Sequence, residues 1–145
     1  MASMIRVSEA AALALHTMVF LAARPDQLIS NREIAGKIKA SEAHLSKVLQ
    51  RLARCGFVKS VPGPRGGFTM TKKGGDVTLL DVYEAIEGPL DAEPCLFQSP
   101  ACGGKGCIMG DALNVATHEM REYMKKRKLS QLAHTIAKNN PVLRA

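Results

Sequence analysis

The chain has no tryptophan, and phenylalanine and tyrosine bring its aromatic share to only 4%. A core must then be assembled from Leu, Ile, Val, Ala and Met, a composition that favours helices. No uninterrupted apolar run reaches about 18 residues, which argues against a membrane-spanning helix. The apolar stretch from Ala10 to Ala23 has no cationic leader and is interrupted by His16, so it reads as a helix and not as a signal peptide. Without an export signal, the four cysteines are expected in a reducing cytoplasm, where thiols bind metals or do redox chemistry. No nucleophile–base constellation is visible, so no enzymatic activity is expected. Internal repeats and low-complexity linkers are also missing. Negative charge is in short supply: 13 acidic residues face 20 basic ones, for a formal net charge of +7.

That basic balance favours an acidic partner, nucleic acid before a membrane surface. The 145 residues suffice for one domain with a real core plus an appended arm or helix. A helix is expected over Ser8–Arg24, closed by Pro25. Ser30-Asn-Arg-Glu33 reads as a capping box that opens a short helix, Asn31–Ile38. After a small turn at Lys39-Ala40, Ser41 caps a third helix, Glu42–Cys55, stopped by Gly56. Phe57–Val61 and Phe68–Thr71 alternate as strands around the Pro62–Gly67 turn, which makes a β-hairpin. Helix, helix, helix, hairpin is the winged helix-turn-helix order. Thr78 caps a further helix, Leu79–Glu87, ended by Gly88-Pro89. A cysteine loop then runs to about Gly110. A long helix, Asp111–Lys128, and a last short one capped by Ser130 and running to about Lys138 complete the chain.

The expected architecture is mostly α with a small β-hairpin wing: a winged helix-turn-helix domain plus a long dimerisation helix. It divides as 4–88 for the DNA-binding domain, 89–110 for the cysteine loop and 111–138 for the two last helices. Residues at the start of a recognition helix reach base edges in the major groove, which favours Ser41, Glu42, His44 and Lys47. Gln50 and Arg51 lie further along and suit phosphates. Arg65 at the hairpin tip suits the minor groove, with Gly66 letting the backbone come close to phosphate. Each of these has a plainer reading as part of a solvated face or turn.

Cys95, Cys102 and Cys107 stand on a loop rich in glycine, with six residues between the first pair and four between the second. Thiolates gathered on irregular chain suit a soft metal or a metal–sulfur cluster. The spacing is wider than the close pairs zinc prefers, so zinc is the weaker reading, and a metal-free thiol switch is a third. Cys55 reads as a small buried hydrophobe, and Lys125-Lys-Arg-Lys128 as a solvated helix end.

Val61-Pro-Gly-Pro-Arg-Gly-Gly-Phe-Thr-Met followed by Val77-Thr-Leu-Leu-Asp-Val-Tyr-Glu-Ala-Ile-Glu-Gly88 resembles the wing and next helix of the Rrf family of bacterial transcription regulators, the group of IscR and NsrR. Ile5-Arg-Val-Ser and the helix over Leu45–Leu52 fit as well. The resemblance implies a cytoplasmic homodimer that crosses through the Asp111–Lys128 helix and binds a palindromic double-stranded operator. It also implies that Cys95, Cys102 and Cys107 hold an iron–sulfur cluster, 2Fe–2S in the first place, with 4Fe–4S left open. IscR-like members carry a His shortly after the third cysteine, where this chain has Gly110; some members use an acidic ligand where it has Ala12. His16 falls where a ligand from the other subunit is expected, and Asp111 is the alternative. The expected function is a homodimeric regulator whose operator binding is controlled by a cluster sensing redox, nitric oxide or iron–sulfur status. A cluster-free regulator with a thiol switch or another effector is the alternative, and an iron–sulfur electron carrier comes after both.

Overall fold

The computed structural model describes residues 7–92, 95–97, 102 and 107–139, without the side chain of Ala137. Ile5 and Arg6, most of the glycine-rich stretch between the cysteines and the tail after Asn139 lie outside the described residues.

Local sequence explains most of the elements. Helix α1 spans Glu9–Ala22, with Ser8 Oγ accepting from the Ala11 N–H at 3.1 Å. Helix α2 is Asn31–Ile38, where Ser30 Oγ accepts from the Glu33 N–H at 3.1 Å. Helix α3 is Glu42–Arg54, capped by Ser41. Strand β1, Val58–Val61, pairs antiparallel with β2, Gly67–Met70, in the register Val58↔Met70 to Val61↔Gly67. The reciprocal capping box forms at Thr78 and Asp81, which opens α5, Leu79–Glu87.

Three features depart from expectation. Lys72–Asp76 forms a short helix, α4, which Gly74 and Gly75 hide in the sequence because glycine is a poor helix former. Gly74 is required there: an added Cβ would lie 2.0 Å from the Phe57 carbonyl oxygen. The helix expected over Asp111–Lys128 is α6, Ala112–Lys125. It stops early because the chain beyond it pairs with the start of α5: the Leu79 N–H donates to Arg127 O at 2.9 Å and the Leu129 N–H to Val77 O at 3.0 Å. Helix α7 therefore begins at Leu129 and ends at Asn139, and Ser130 lies inside its first turn instead of capping it.

One apolar core joins these helices. Met18, Phe20, Leu21, Ile34, Leu45, Leu49, Leu52, Val82 and Leu129 are essentially inaccessible to solvent. Burying each such side chain contributes about 1.5–3 kcal/mol. Among the described residues no helix is long and apolar enough to cross a membrane.

Two residues of the helix-turn-helix go against local preference. Lys39, closing α2, has φ 56° and ψ 47°, a left-handed conformation costing about 1–2 kcal/mol for a residue with a side chain. Gly36, inside α2, weakens that helix by about 0.5–1 kcal/mol relative to alanine. Replacing Lys39 with glycine is expected to raise stability by up to about 1 kcal/mol. Thermal unfolding of Lys39→Gly checks this, and an unchanged or lowered midpoint would show that the turn holds no strain.

Candidate nucleic-acid interface and cysteine loop

Helix α3 buries Leu45, Val48, Leu49 and Leu52 and turns the rest of its surface outward. Ser41, Glu42, Lys47, Gln50 and Arg51 are all exposed. Ser41 Oγ accepts from the His44 N–H at 3.4 Å, so its own hydroxyl hydrogen is available to a base or phosphate. His44 is half-buried, its Nδ1 3.8 Å from the Glu9 carboxylate on α1. Glu42 offers its backbone as an anchor: Asn31 Nδ2 donates to the Glu42 carbonyl at 3.0 Å, which ties the start of α2 to the start of α3.

The wing is held by more than its own two strands. Ile29, just before α2, pairs with Phe68 through N–H···O bonds of 3.0 and 2.8 Å. The backbones approach so closely that a Cβ on Gly67 would lie 2.4 Å from Ile29 O. Gly66 is equally constrained, since its Cβ would meet Val61 O at 2.0 Å. That fold-back leaves Arg65 exposed at the tip. Recognition helix and wing thus share one support, the segment Ile29–Asn31.

The cysteine loop starts from a stapled base. Leu90 is buried, and its N–H donates to Glu84 Oε1 at 3.0 Å. Arg121 of α6 donates to the Leu90 carbonyl and to Asp91 Oδ1, the latter at 3.2 Å. Its other nitrogen lies 3.5 Å from Glu84 Oε1. One guanidinium therefore joins α5, α6 and the start of the loop. Burial, helped by the nearby carboxylates of Glu87 and Glu84, pushes the Tyr83 phenol on the same helix above its ordinary value.

All four cysteines are free thiols. Cys102 is exposed, and Cys95 and Cys107 are half-buried. Among the described residues no three His, Cys, Asp or Glu side chains converge on a metal position. The donor set still suits a soft centre in its chemistry: three thiols on one segment, none committed to a disulfide. His16 is exposed on a helix otherwise mostly buried, and its Nδ1 lies 2.7 Å from the Ala12 carbonyl. A carbonyl oxygen only accepts, so Nδ1 donates and Nε2 carries the lone pair, the arrangement a ligating imidazole needs. Asp111 is exposed before α6; its Oδ1 accepts from Asn114 Nδ2 at 2.7 Å, and it makes no side-chain cap. Cys55 packs half-buried against the core, and the exposed basic run at 125–128 includes Lys126, paired with Glu122 at 3.9 Å.

The contacts of Glu9, Asn31 and Arg121 were not legible in the sequence. Nothing in the periodicity marks them, because each acts through a partner distant in sequence.

A family model described as Rrf2, iron-dependent transcriptional regulator, matches residues 7–135. The HTH-type transcriptional regulator NsrR of Bacillus subtilis (strain 168) is 31% identical over 107 residues, covering 68% of this chain and 73% of that protein. NsrR of Geobacillus kaustophilus (strain HTA426) is 29% identical over 112 residues, covering 75% and 74%. Two solved structures share the fold. CymR, the global cysteine regulator of B. subtilis, superposes with a TM-score of 0.74 at 22% identity, over 90% of this chain and 98% of its own. T. potens IscR gives 0.72 at 20% identity, over 94% and 91%. With a match spanning nearly its whole length, the chain belongs to the Rrf2 family of transcriptional regulators.

Proposed function

We propose that the chain works as a homodimeric, cytoplasmic DNA-binding regulator whose affinity for a palindromic operator is set by an iron–sulfur cluster on Cys95, Cys102 and Cys107. The observation that carries this reading is the stapled base of the cysteine loop: Arg121 links the segment bearing the thiols to both α5 and α6. His16 of the partner subunit is the favoured fourth ligand, with Asp111 the alternative. When bound, such a cluster, 2Fe–2S favoured over 4Fe–4S, supplies a centre reactive toward oxidants and nitric oxide.

The rest follows from the chain's own residues. Ser41, Glu42, His44 and Lys47 address base edges, Gln50 and Arg51 phosphates, and Arg65 with Gly66 the minor groove. Helix α6 is the element through which two copies cross. Of the seven exposed large apolar side chains among the described residues, five (Leu96, Phe97, Ile108, Val115 and Tyr123) lie on the loop or α6, and Val7 and Leu28 lie elsewhere. Apolar groups concentrated there are what a subunit interface would cover. A shift of the loop base carried through Arg121 to α5 and α6 changes the separation of the two recognition helices, and with it the fit to two half-sites.

The second reading is a cluster-free thiol switch. It is favoured by Cys102 standing exposed.

Anaerobically purified protein is expected to be brown, with iron and acid-labile sulfide that are lost in Cys102→Ala. A colourless protein that stays so after reconstitution would leave the thiol switch. Val115→Glu is expected to raise the monomer fraction in sedimentation, and an unaltered dimer would move the interface off α6. On DNA, Lys47→Ala and Arg65→Ala are each expected to weaken binding, and a contact to phosphate appears as a log–log salt slope shallower by about 0.9. Affinity insensitive to salt would rule out the electrostatic reading.

A further inference from the structure

The first turn of α3 carries a side chain that meets an element outside the helix-turn-helix. His44 is half-buried, and its Nδ1 lies 3.8 Å from the Glu9 carboxylate at the start of α1. The backbone that presents Glu9 is fixed from two sides. Ser8 Oγ accepts from the Ala11 N–H at 3.1 Å and donates to the Glu87 carboxylate at the end of α5. The carboxylate thus reaches His44 through the packing of three helices and not through a local sequence pattern.

That neighbour has a chemical consequence. A carboxylate offers only lone pairs and negative charge, so a ring nitrogen facing it is favoured with its proton and disfavoured with its lone pair. An isolated neutral imidazole prefers the opposite arrangement, with the proton on Nε2. With Nδ1 protonated, Nε2 holds the lone pair and only accepts. In the major groove the hydrogen-bond donors on base edges are the exocyclic amino groups of adenine and cytosine. An acidic residue in a first turn also complements the positive end of its helix, but that role makes no demand on which residue of α3 it faces.

We propose that Glu9 is a positioning residue for base recognition: it keeps the His44 proton on Nδ1, so that Nε2 meets the DNA as an acceptor and selects an amino group of adenine or cytosine. The inference rests on the DNA-binding reading above, in which His44 addresses a base edge. Glu9 acts without touching the duplex, and α1 thereby contributes to the choice of operator sequence.

The tautomer is read without DNA. In the full chain at about pH 8, where imidazole is ordinarily neutral, the ring-nitrogen chemical shifts of His44, assigned by their loss in His44→Ala, are expected to place the proton on Nδ1. In Glu9→Ala they are expected to move toward the form protonated on Nε2. The second measurement is selection of duplexes from a random library. His44→Ala is expected to lose a base preference at one position of each half-site. Glu9→Ala is expected to move the preference at that same position to another base, by about fivefold in relative affinity, and to keep the others. A His44 tautomer unchanged in Glu9→Ala would overturn the proposal, and a lowered unfolding midpoint beside it would leave Glu9 as a helix-dipole residue. A preference that stays put in Glu9→Ala, or moves at a position insensitive to His44→Ala, would overturn it as well. Lys47→Ala separates the two levels. If it weakens binding while the Glu9 and His44 variants keep every preference, only this inference falls; if the wild-type protein enriches no duplex, the DNA-binding reading falls with it.

Discussion

Eight of the fourteen residues of α1 are buried, and they point in nearly every direction around the helix. A helix apolar on all sides must be enclosed, and α1 is enclosed by α3, α5 and α7. This enclosure fixes the positions of the other elements. It holds the recognition helix against the same core that holds the helix following the wing, so neither can move without disturbing α1. It also makes the polar exceptions on α1 informative. Glu9 and His16 escape burial, one facing the recognition helix and the other presenting a ring nitrogen to solvent.

A second layer of constraint is polar and local. Arg121 joins Glu84, Leu90 and Asp91, while Thr78 and Lys128 face each other across a two-bond bridge that docks the end of α6 on the start of α5. Helix α6 is thereby attached to α5 at both ends of the latter. The charged groups of the Arg121 cluster are only partly shielded, so each bond by itself is weak. Their value is geometric. A guanidinium contacting three sites at once defines the angle at which the chain leaves the core at Leu90 and Asp91.

Much of this was legible in the sequence, and the reason is short range. Helices α2, α3 and α5 announce themselves through a capping Ser or Thr followed by apolar residues at helical spacing, and the hairpin through its Pro/Gly tip. What escaped depends on distant partners. Helix α4 is concealed by two glycines, of which Gly74 is required by the Phe57 carbonyl beside it. The third edge of the wing, at Ile29, is a single pair of backbone bonds with no pattern of its own. The early end of α6 is dictated by Val77 and Leu79, about fifty residues earlier in the chain. Among the candidate residues, the exposure of the outward set on α3 was readable from amphipathicity, and that of Arg65 from its turn. Arg121, Asn31 and Glu9 were not, because a lone polar residue on a helix face carries no signal until its partner is known.

Four of the places where this chain breaks local rules lie together. Lys39 takes a left-handed conformation, Gly36 sits inside a helix, and Gly66 and Gly67 are forced by backbone contacts at the wing. All four fall within the helix-turn-helix and its wing, while the core around α1 follows ordinary packing. Natural sequences depart from local consistency mainly where function demands it. For Gly66 and Gly67 the demand is internal: the wing must fold back on Val61 and lie against Ile29. For Lys39 and Gly36 no contact among the described residues requires the residue present.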